Sequence, residues 1–347
     1  MSSKDCDLAW HRISGSAKQI GLGLGRQGFD AVHRHLISSP NWHVVNKPVY
    51  AGLVERMSAA TKMRFPQIWA EIEGLAEGLE LPVKQVMAWN CRGDLLASSP
   101  DGCTTVQIPG PQVTIGHNED GLPFFRGACF IAEVNQDKLP SFWSFCYPGS
   151  LPGHTFGVAQ TGLCVTANNL RLSEVDGEIP RMVLGRAILS APSLPAALSI
   201  LEENPAYGGF HFTLAQVGRP ELVSVEFGGG KVSVKRISTP SLHANHALHL
   251  SNGSVPQIVT SSSIDRQLRG DSLLSKGSLD PLKILQDTGG QGLPIRRDAV
   301  DDPDHENTLA TVILHVGQYS IDWSIYDRIT DQPAYSSEKQ FISGNME

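Results

Sequence analysis

Asp101-Gly102-Cys103-Thr104-Thr105-Val106-Gln107-Ile108 is the stretch from which the rest of the chain can be read. Thr104, Thr105, Val106 and Ile108 favour a pleated, half-buried segment. Gly102 leaves room where a side chain would clash. Together they describe a loop that delivers Cys103 to the start of a strand. A thiol so placed suits cleavage of its own Gly102–Cys103 peptide bond, which would leave Cys103 as a new N-terminus. An α-amine has an ordinary pKa of roughly 8, so much of it is neutral near pH 7 and can serve as the base for the adjacent sulfur. The competing reading is an ordinary buried cysteine, which behaves as a small hydrophobe. Cys103 is one of six, with Cys6, Cys91, Cys129, Cys146 and Cys164, so the case rests on its surroundings.

Before this stretch the texture is helical. Apolar spacing predicts helices near 26–36, 50–60, 66–78 and 83–90, with Pro66 suited to a first turn and Gly78 to a stop. Residues 98–102 form the exposed, cleavable loop. After Cys103 short strands dominate, at 104–108, 113–117, 129–134, 143–147, 155–160 and 164–168. Two helices at 180–190 and 193–203 follow, then strands at 211–217, 222–227 and 232–237. Further helices are expected at 262–269 and 281–287, a polar loop at 289–306, and a last strand pair at 308–315 and 319–326. Runs of strands separated by helical pairs imply an α+β fold, with sheet packed on sheet and helices outside.

Of the 347 residues, 41% are hydrophobic, enough for a substantial core. The net charge is −7 and no block of Lys or Arg stands out, so nucleic acid is not an expected partner. No run approaches the roughly 20 apolar residues of a membrane span. The N-terminal residues have no apolar signal region, and the cysteines form no Cys-x-x-Cys pair. Reduced thiols in the cytoplasm are the expectation, and a homo-oligomer is left open.

Two further segments carry chemistry. Gly116-His117-Asn118-Glu119-Asp120-Gly121 ends the strand after Cys103, and a hairpin would return it to the nucleophile's loop. Asp120 is then placed to orient the α-amine, although Asn-Glu-Asp-Gly is also ordinary turn chemistry. The second segment is His243-Ala244-Asn245-His246-Ala247-Leu248-His249. A buried Asn245 amide can donate to an oxyanion. Three histidines at intervals of three would suit a metal on a helix, but the strand–loop context and the missing carboxylate argue against it. His117, His246 or His249 could also act as base in a Cys/His pair.

These residues closely resemble the self-processing site of the isopenicillin N acyltransferase-like (acyl-coenzyme A:6-aminopenicillanic-acid acyltransferase) family of N-terminal-nucleophile hydrolases. The resemblance rests first on Asp101-Gly102-Cys103-Thr104-Thr105 followed by Gly116-His117-Asn118-Glu119-Asp120. It extends upstream to Glu71–Gly78 and Asn90-Cys91-Arg92-Gly93-Asp94. Downstream it takes in Gly157-Val158 to Gly162-Leu163, Thr166-Ala167-Asn168-Asn169, Asn245-His246, the Ser-x-x-Arg helix start ending at Arg266, and Thr308-Leu309-Ala310-Thr311-Val312.

The resemblance implies a four-layer αββα sandwich and cleavage between Gly102 and Cys103. An α-chain of 1–102 would stay associated with a β-chain of 103–347. Cys103 would be the nucleophile, Asp120 an orienting acid and Asn245 an oxyanion donor. Thr104, Thr105, His117, Asn118, Asn168, His246, Arg266 and His305 would support the site or touch substrate. No cofactor and no metal are implied. The expected substrate is a small N-acyl amine or amino-acid conjugate, cleaved through a thioester. Two departures bear on the substrate: Asp304-His305-Glu306-Asn307 stands where the family has a Ser-Arg pair, and Glu119 precedes Asp120 where the family has Trp. Transfer of the acyl group to an amine is the alternative reaction. An uncleaved, non-catalytic binding protein is the alternative from another class.

Overall fold

The computed structural model describes residues 7–97, 102–173, 175–337 and 340–341. Residues 98–101 of the expected cleavable loop lie outside the described residues. The chain opens with β1 (Ala9–Gly15), α1 (Ala17–Ala31), α2 (Pro40–Val45), α3 (Ala51–Arg64), α4 (Pro66–Gly78), α5 (Val83–Asn90) and α6 (Arg92–Leu95). Strands β2 (Gly102–Ile108), β3 (Val113–Gly121), β4 (Phe130–Gln136), β5 (Phe142–Cys146), β6 (Phe156–Ala159) and β7 (Leu163–Leu170) follow. Then come α7 (Arg181–Ile188), α8 (Leu194–Glu203), β8 (Gly209–Gln216), β9 (Val223–Gly228), β10 (Lys231–Arg236) and β11 (Ser241–His243). The chain continues with α9 (Ser261–Ser275), α10 (Pro281–Leu285), β12 (Asn307–Val316), β13 (Ser320–Tyr326), β14 (Tyr335–Ser336) and β15 (Gln340–Phe341).

The strands form two sheets. One runs β1-β4-β5-β6-β7-β8-β9-β10, and the other β11-β2-β3-β12-β13-β14, with β15 also on β13. The sheets meet face to face through β2 and β7. Helix α1 lies on β1 and β4, and α8 on β8 and β10, outside the first sheet. Helices α9 and α10 cover β11, β2, β3 and β12 of the second. The result is the expected four-layer αββα sandwich. Trp10 of β1 stacks on Trp323 of β13 at 5.7 Å, and Trp143 of β5 meets the same ring at 4.9 Å, so an aromatic seam joins the sheets.

Strand β1 pairs in parallel with β4, and α1 and α4 form much of the outer layer. The segment before Cys103 is therefore woven into the sandwich. Apolar spacing starts the first helix too late, because α1 begins at Ala17, where Ser16 caps it. Its glycines are the reason. A Cβ on Gly21 would lie 1.9 Å from the Glu71 carbonyl oxygen, and one on Gly74 2.0 Å from that of Lys18. Glycine lowers helix propensity, but here it lets two backbones touch, and packing decides the outcome.

The segment 289–306 also differs from expectation. The polar loop is only partly solvated, because Ile295, Arg296, Arg297, Asp302 and Glu306 are buried while Asp298, Asp301 and His305 stay exposed. The Arg297 guanidinium binds Asp302 and Glu306 and also reaches Asp304, which ties the segment down beneath β12.

Candidate active site

Hairpin β2–β3 sets the site by its register. Gly102 lies opposite Asp120, Cys103 opposite Glu119, Thr104 opposite Asn118 and Thr105 opposite His117. Side chains alternate across a strand, so Cys103, Thr105, His117 and Glu119 share one face and Thr104, Asn118 and Asp120 the other. The first group faces the opposing sheet, where Thr105 Oγ1 donates to Asn168 Oδ1 of β7 at 2.7 Å. The second faces the helices. Asn118 Nδ2 donates to the Leu285 carbonyl of α10 and its Oδ1 accepts from Thr311, so Asn118 anchors the sheet away from the thiol.

Strand β11 pairs with β2 from Gln107 to Thr105 and then stops. Continued register would bring Asn245 opposite Cys103. Its side chain replaces the missing ladder bond, with Oδ1 accepting from the Cys103 nitrogen at 3.0 Å. Arg266 fixes that orientation. Its guanidinium has no acceptor, so an amide oxygen must face it. It donates to Asn245 Oδ1 at 2.6 Å, Thr104 Oγ1 at 2.8 Å, Ser262 Oγ at 3.1 Å and the Cys103 carbonyl oxygen. Asn245 Nδ2 donates to the Asn169 carbonyl at 3.2 Å. Ser263 Oγ accepts from the Asn245 backbone nitrogen and bonds His246 Nδ1, each at 2.8 Å. His246 thus supports the Asn245 turn.

On the inner face, Cys103 Sγ lies 3.7 Å from Glu119 Oε2, and His117 Nε2 lies 3.2 Å from the same oxygen. Tyr147 donates to Glu119 Oε1 at 2.9 Å. Burial lowers His117 to about 3, so the imidazole is neutral at pH 7. Asp120 is fully buried, and burial raises its pKa against the pull of Arg266. Its Oδ1 accepts from Thr308 at 2.6 Å, while Oδ2 has no hydrogen-bond partner among the described residues.

Gly102 is a ladder residue, and space is what requires glycine there. A Cβ would lie 2.3 Å from Glu306 Oε2 and 3.2 Å from the Asp120 Cβ. Burial pushes Glu306 up to about 7, although Arg171 and Arg297 draw it down.

The structure therefore gathers Gly102, Cys103, Thr104, Thr105, His117, Asp120, Asn168, Asn245, His246 and Arg266, with Asn118 on the supporting side. His305 stands apart. It is exposed at a left-handed φ of 55°, while Glu306 next to it turns inward. Of the three histidines of the 243–249 segment, His243 and His249 approach Glu226 Oε1, at 2.8 and 3.7 Å, His249 also binds Ser224 and Ser233, and His246 turns to Ser263. Tyr147 and Arg171 are not singled out in advance, and Glu119 and Glu306 are named only as departures from the family pattern. Period-two alternation from Cys103 would have found Glu119, which its hairpin register sets beside the thiol.

The two packed sheets with helices outside form an αββα sandwich in which Cys103, second residue of β2, has its nitrogen held by the remote Asn245. The sequence profile of acyl-coenzyme A:6-aminopenicillanic acid acyl-transferase matches residues 109–327, more than half of the chain, and the chain belongs to that family. A beta-alanyl-dopamine/carcinine hydrolase of Drosophila melanogaster is 25% identical over 239 residues, 61% of this chain and 59% of the relative. The chain thus spans less than two thirds of that relative's length. The acyl-coenzyme A:6-aminopenicillanic-acid-acyltransferase 40 kDa form of Emericella nidulans is 25% identical over 280 residues, 77% of each chain. A mutant conjugated bile acid hydrolase from Clostridium perfringens superposes with a TM-score of 0.43 at 12% identity, over 70% of this chain and 94% of that one. Among the described residues no helix is long and apolar enough to cross a membrane.

Proposed function

We propose that this chain cuts its own Gly102–Cys103 bond and then works as a cysteine amidohydrolase. The observation that carries the reading is the setting of Cys103 at the head of β2, its nitrogen on Asn245 Oδ1 at 3.0 Å and its thiol 3.7 Å from Glu119. In processing, Sγ attacks the Gly102 carbonyl carbon and its proton passes to Glu119. The Gly102–Cys103 C–N bond breaks as the nitrogen takes up that proton, leaving a thioester on Sγ. Water hydrolyses the thioester to a Gly102 carboxylate and frees both thiol and α-amine. Residues 9–95 supply β1 and helices α1–α6, with β1 paired to β4, which keeps the two chains together.

In turnover the α-amine takes the Sγ proton and the thiolate attacks a substrate amide carbonyl. The second N–H of Asn245 and a backbone N–H hold the oxyanion. Asp120 acts through its charge beside Arg266, which aims Asn245. The amine leaves with the proton, and water releases the acid from the thioester.

Departure of Gly102 opens a space beside Asp120 and Glu306, which suits the small polar amide of a short acyl group. The Drosophila relative's name, a hydrolase of a β-alanyl amine, supports the same class. Acyl transfer is the second reading, favoured by the longer match to the Emericella enzyme. Screening N-acyl amines with processed protein, with and without an added amine, separates them. Acid release independent of the added amine supports hydrolysis. A new amide at the expense of acid supports transfer, and neither product overturns both.

A further inference from the structure

Three electron-pair donors converge at the inner end of β2. Cys103 Sγ, His117 Nε2 and a Glu119 carboxylate oxygen lie within 4.8 Å of one another, all buried. Hydrogen-bond accounting shows what each offers. Asn168 Nδ2 donates to the His243 carbonyl at 3.1 Å, so its Oδ1 is the acceptor facing Thr105. The one Thr105 hydroxyl hydrogen goes to that oxygen, and Thr105 Oγ1 must accept from His117 Nδ1 at 2.8 Å. In a neutral imidazole Nε2 then carries a lone pair, which points at Glu119 Oε2 3.2 Å away. Two acceptors that close need a proton or a cation between them.

The two separations made with Glu119 fit a particular cation. Tetrahedral zinc binds sulfur at about 2.3 Å and histidine nitrogen or carboxylate oxygen at about 2.0–2.2 Å. Those bonds place S and O about 3.5 Å apart and N and O about 3.3 Å apart. The observed separations are 3.7 Å and 3.2 Å. The atoms behind the donors are already anchored, Nδ1 of His117 by Thr105 and Oε1 of Glu119 by Tyr147. Anchored outer contacts of this kind are what a metal site uses to aim its ligands.

We propose that Cys103, His117 and Glu119 form a binding site for one thiophilic divalent cation, zinc above all, which reversibly masks the nucleophile. A fourth ligand, the Cys103 α-amine, would exist only after cleavage, and this part rests on the self-processing reading. Amine and sulfur of one N-terminal cysteine then close a chelate ring on the ion. Binding exchanges zinc-bound water for the four donors, and the thiol proton leaves to solvent. No electron is transferred.

The test uses the full chain as purified, stripped with EDTA, with zinc as the probe. Calorimetry and metal analysis should give one zinc per chain, and zinc should block alkylation of Cys103 until EDTA restores it. Glu119→Gln should weaken zinc at least tenfold, and Thr105→Val, which removes the His117 anchor together with the bond to Asn168, about 10–100-fold. Thermal melting of each variant reports whether it folds, and Cys103→Ser provides a second isosteric check. Zinc affinity unchanged in both Glu119→Gln and Cys103→Ser places the ion elsewhere and overturns the proposal. Absence of binding to a cleaved chain overturns it while leaving self-processing intact. One zinc bound to a chain that mass spectrometry finds uncut supports the three-ligand site and removes self-processing with its fourth ligand.

Discussion

Gly102 and Glu306, far apart in the chain, touch at the bond expected to break: a Cβ on Gly102 would sit 2.3 Å from Glu306 Oε2. Gly102→Ala should therefore push Glu306 aside and tilt the scissile peptide away from Cys103. Overpacking of this kind costs about 1–3 kcal/mol, and a shift of about 1.4 kcal/mol in the barrier is tenfold in rate. A time course of fragment appearance should show self-cleavage slowed about tenfold or more. Cleavage at the unaltered rate would mean that the contact does not bear on the reaction.

Glu306 also gives the precursor a pH signature. Its carboxyl is raised from 4.5 to about 7, with burial the largest cause. A carboxyl raised on folding contributes stability that is complete below its unfolded value and fades as pH rises through its folded value. Its contribution should thus be full below pH 4.5 and lost by about pH 7. Glu306→Gln stays neutral throughout. The melting temperature of the parent relative to the variant should fall across that window, and a difference that rises with pH would contradict the assignment.

Asn245 is the hinge between the two faces of the site. Asn245→Ala removes the acceptor on the Cys103 nitrogen and the proposed oxyanion donor together. Loss of one such donor typically lowers kcat by about 10²–10³. Arg266→Met should reproduce much of the defect, because Arg266 acts through Asn245 and the Cys103 carbonyl. Steady-state kinetics on processed protein check both. An Asn245→Ala enzyme with parental kcat would remove it from the mechanism.

The glycines of α1 and α4 separate packing from propensity. A Cβ on Gly21 would lie 1.9 Å from a backbone oxygen, whereas one on Gly52 in α3 meets nothing within 4 Å. Gly21→Ala should destabilise by about 1–3 kcal/mol or more. Gly52→Ala should stabilise by about 0.4–1 kcal/mol. Denaturant unfolding measures both, and a shared sign would refute the distinction.

The strands and most helices were legible because their periodicity is local. Pro66–Gly78 and Val83–Asn90 are helices over the expected spans, and the 104–108 and 113–117 strands pair as a hairpin. What failed was non-local. Gly21 and Gly25 look like helix breakers until α4 lies against them. Asp302 and Glu306 look solvated until Arg297 is buried between them. Cys103, Asp120, Asn245 and Arg266, each taken from a family motif, are brought into one cluster. Glu119 was noted only as a departure and not as the neighbour of the thiol that the alternation makes it, and no local pattern marks Glu306 as the neighbour of Gly102.

The central claim is that Cys103 becomes an N-terminus. Intact mass under denaturing conditions, on the parent chain and on Cys103→Ala, tests it most directly. The parent should give two fragments, the second beginning at Cys103, which co-elute under native conditions, and Cys103→Ala should remain one uncut chain. A parent chain of undivided mass that nonetheless turns over amides would contradict the account.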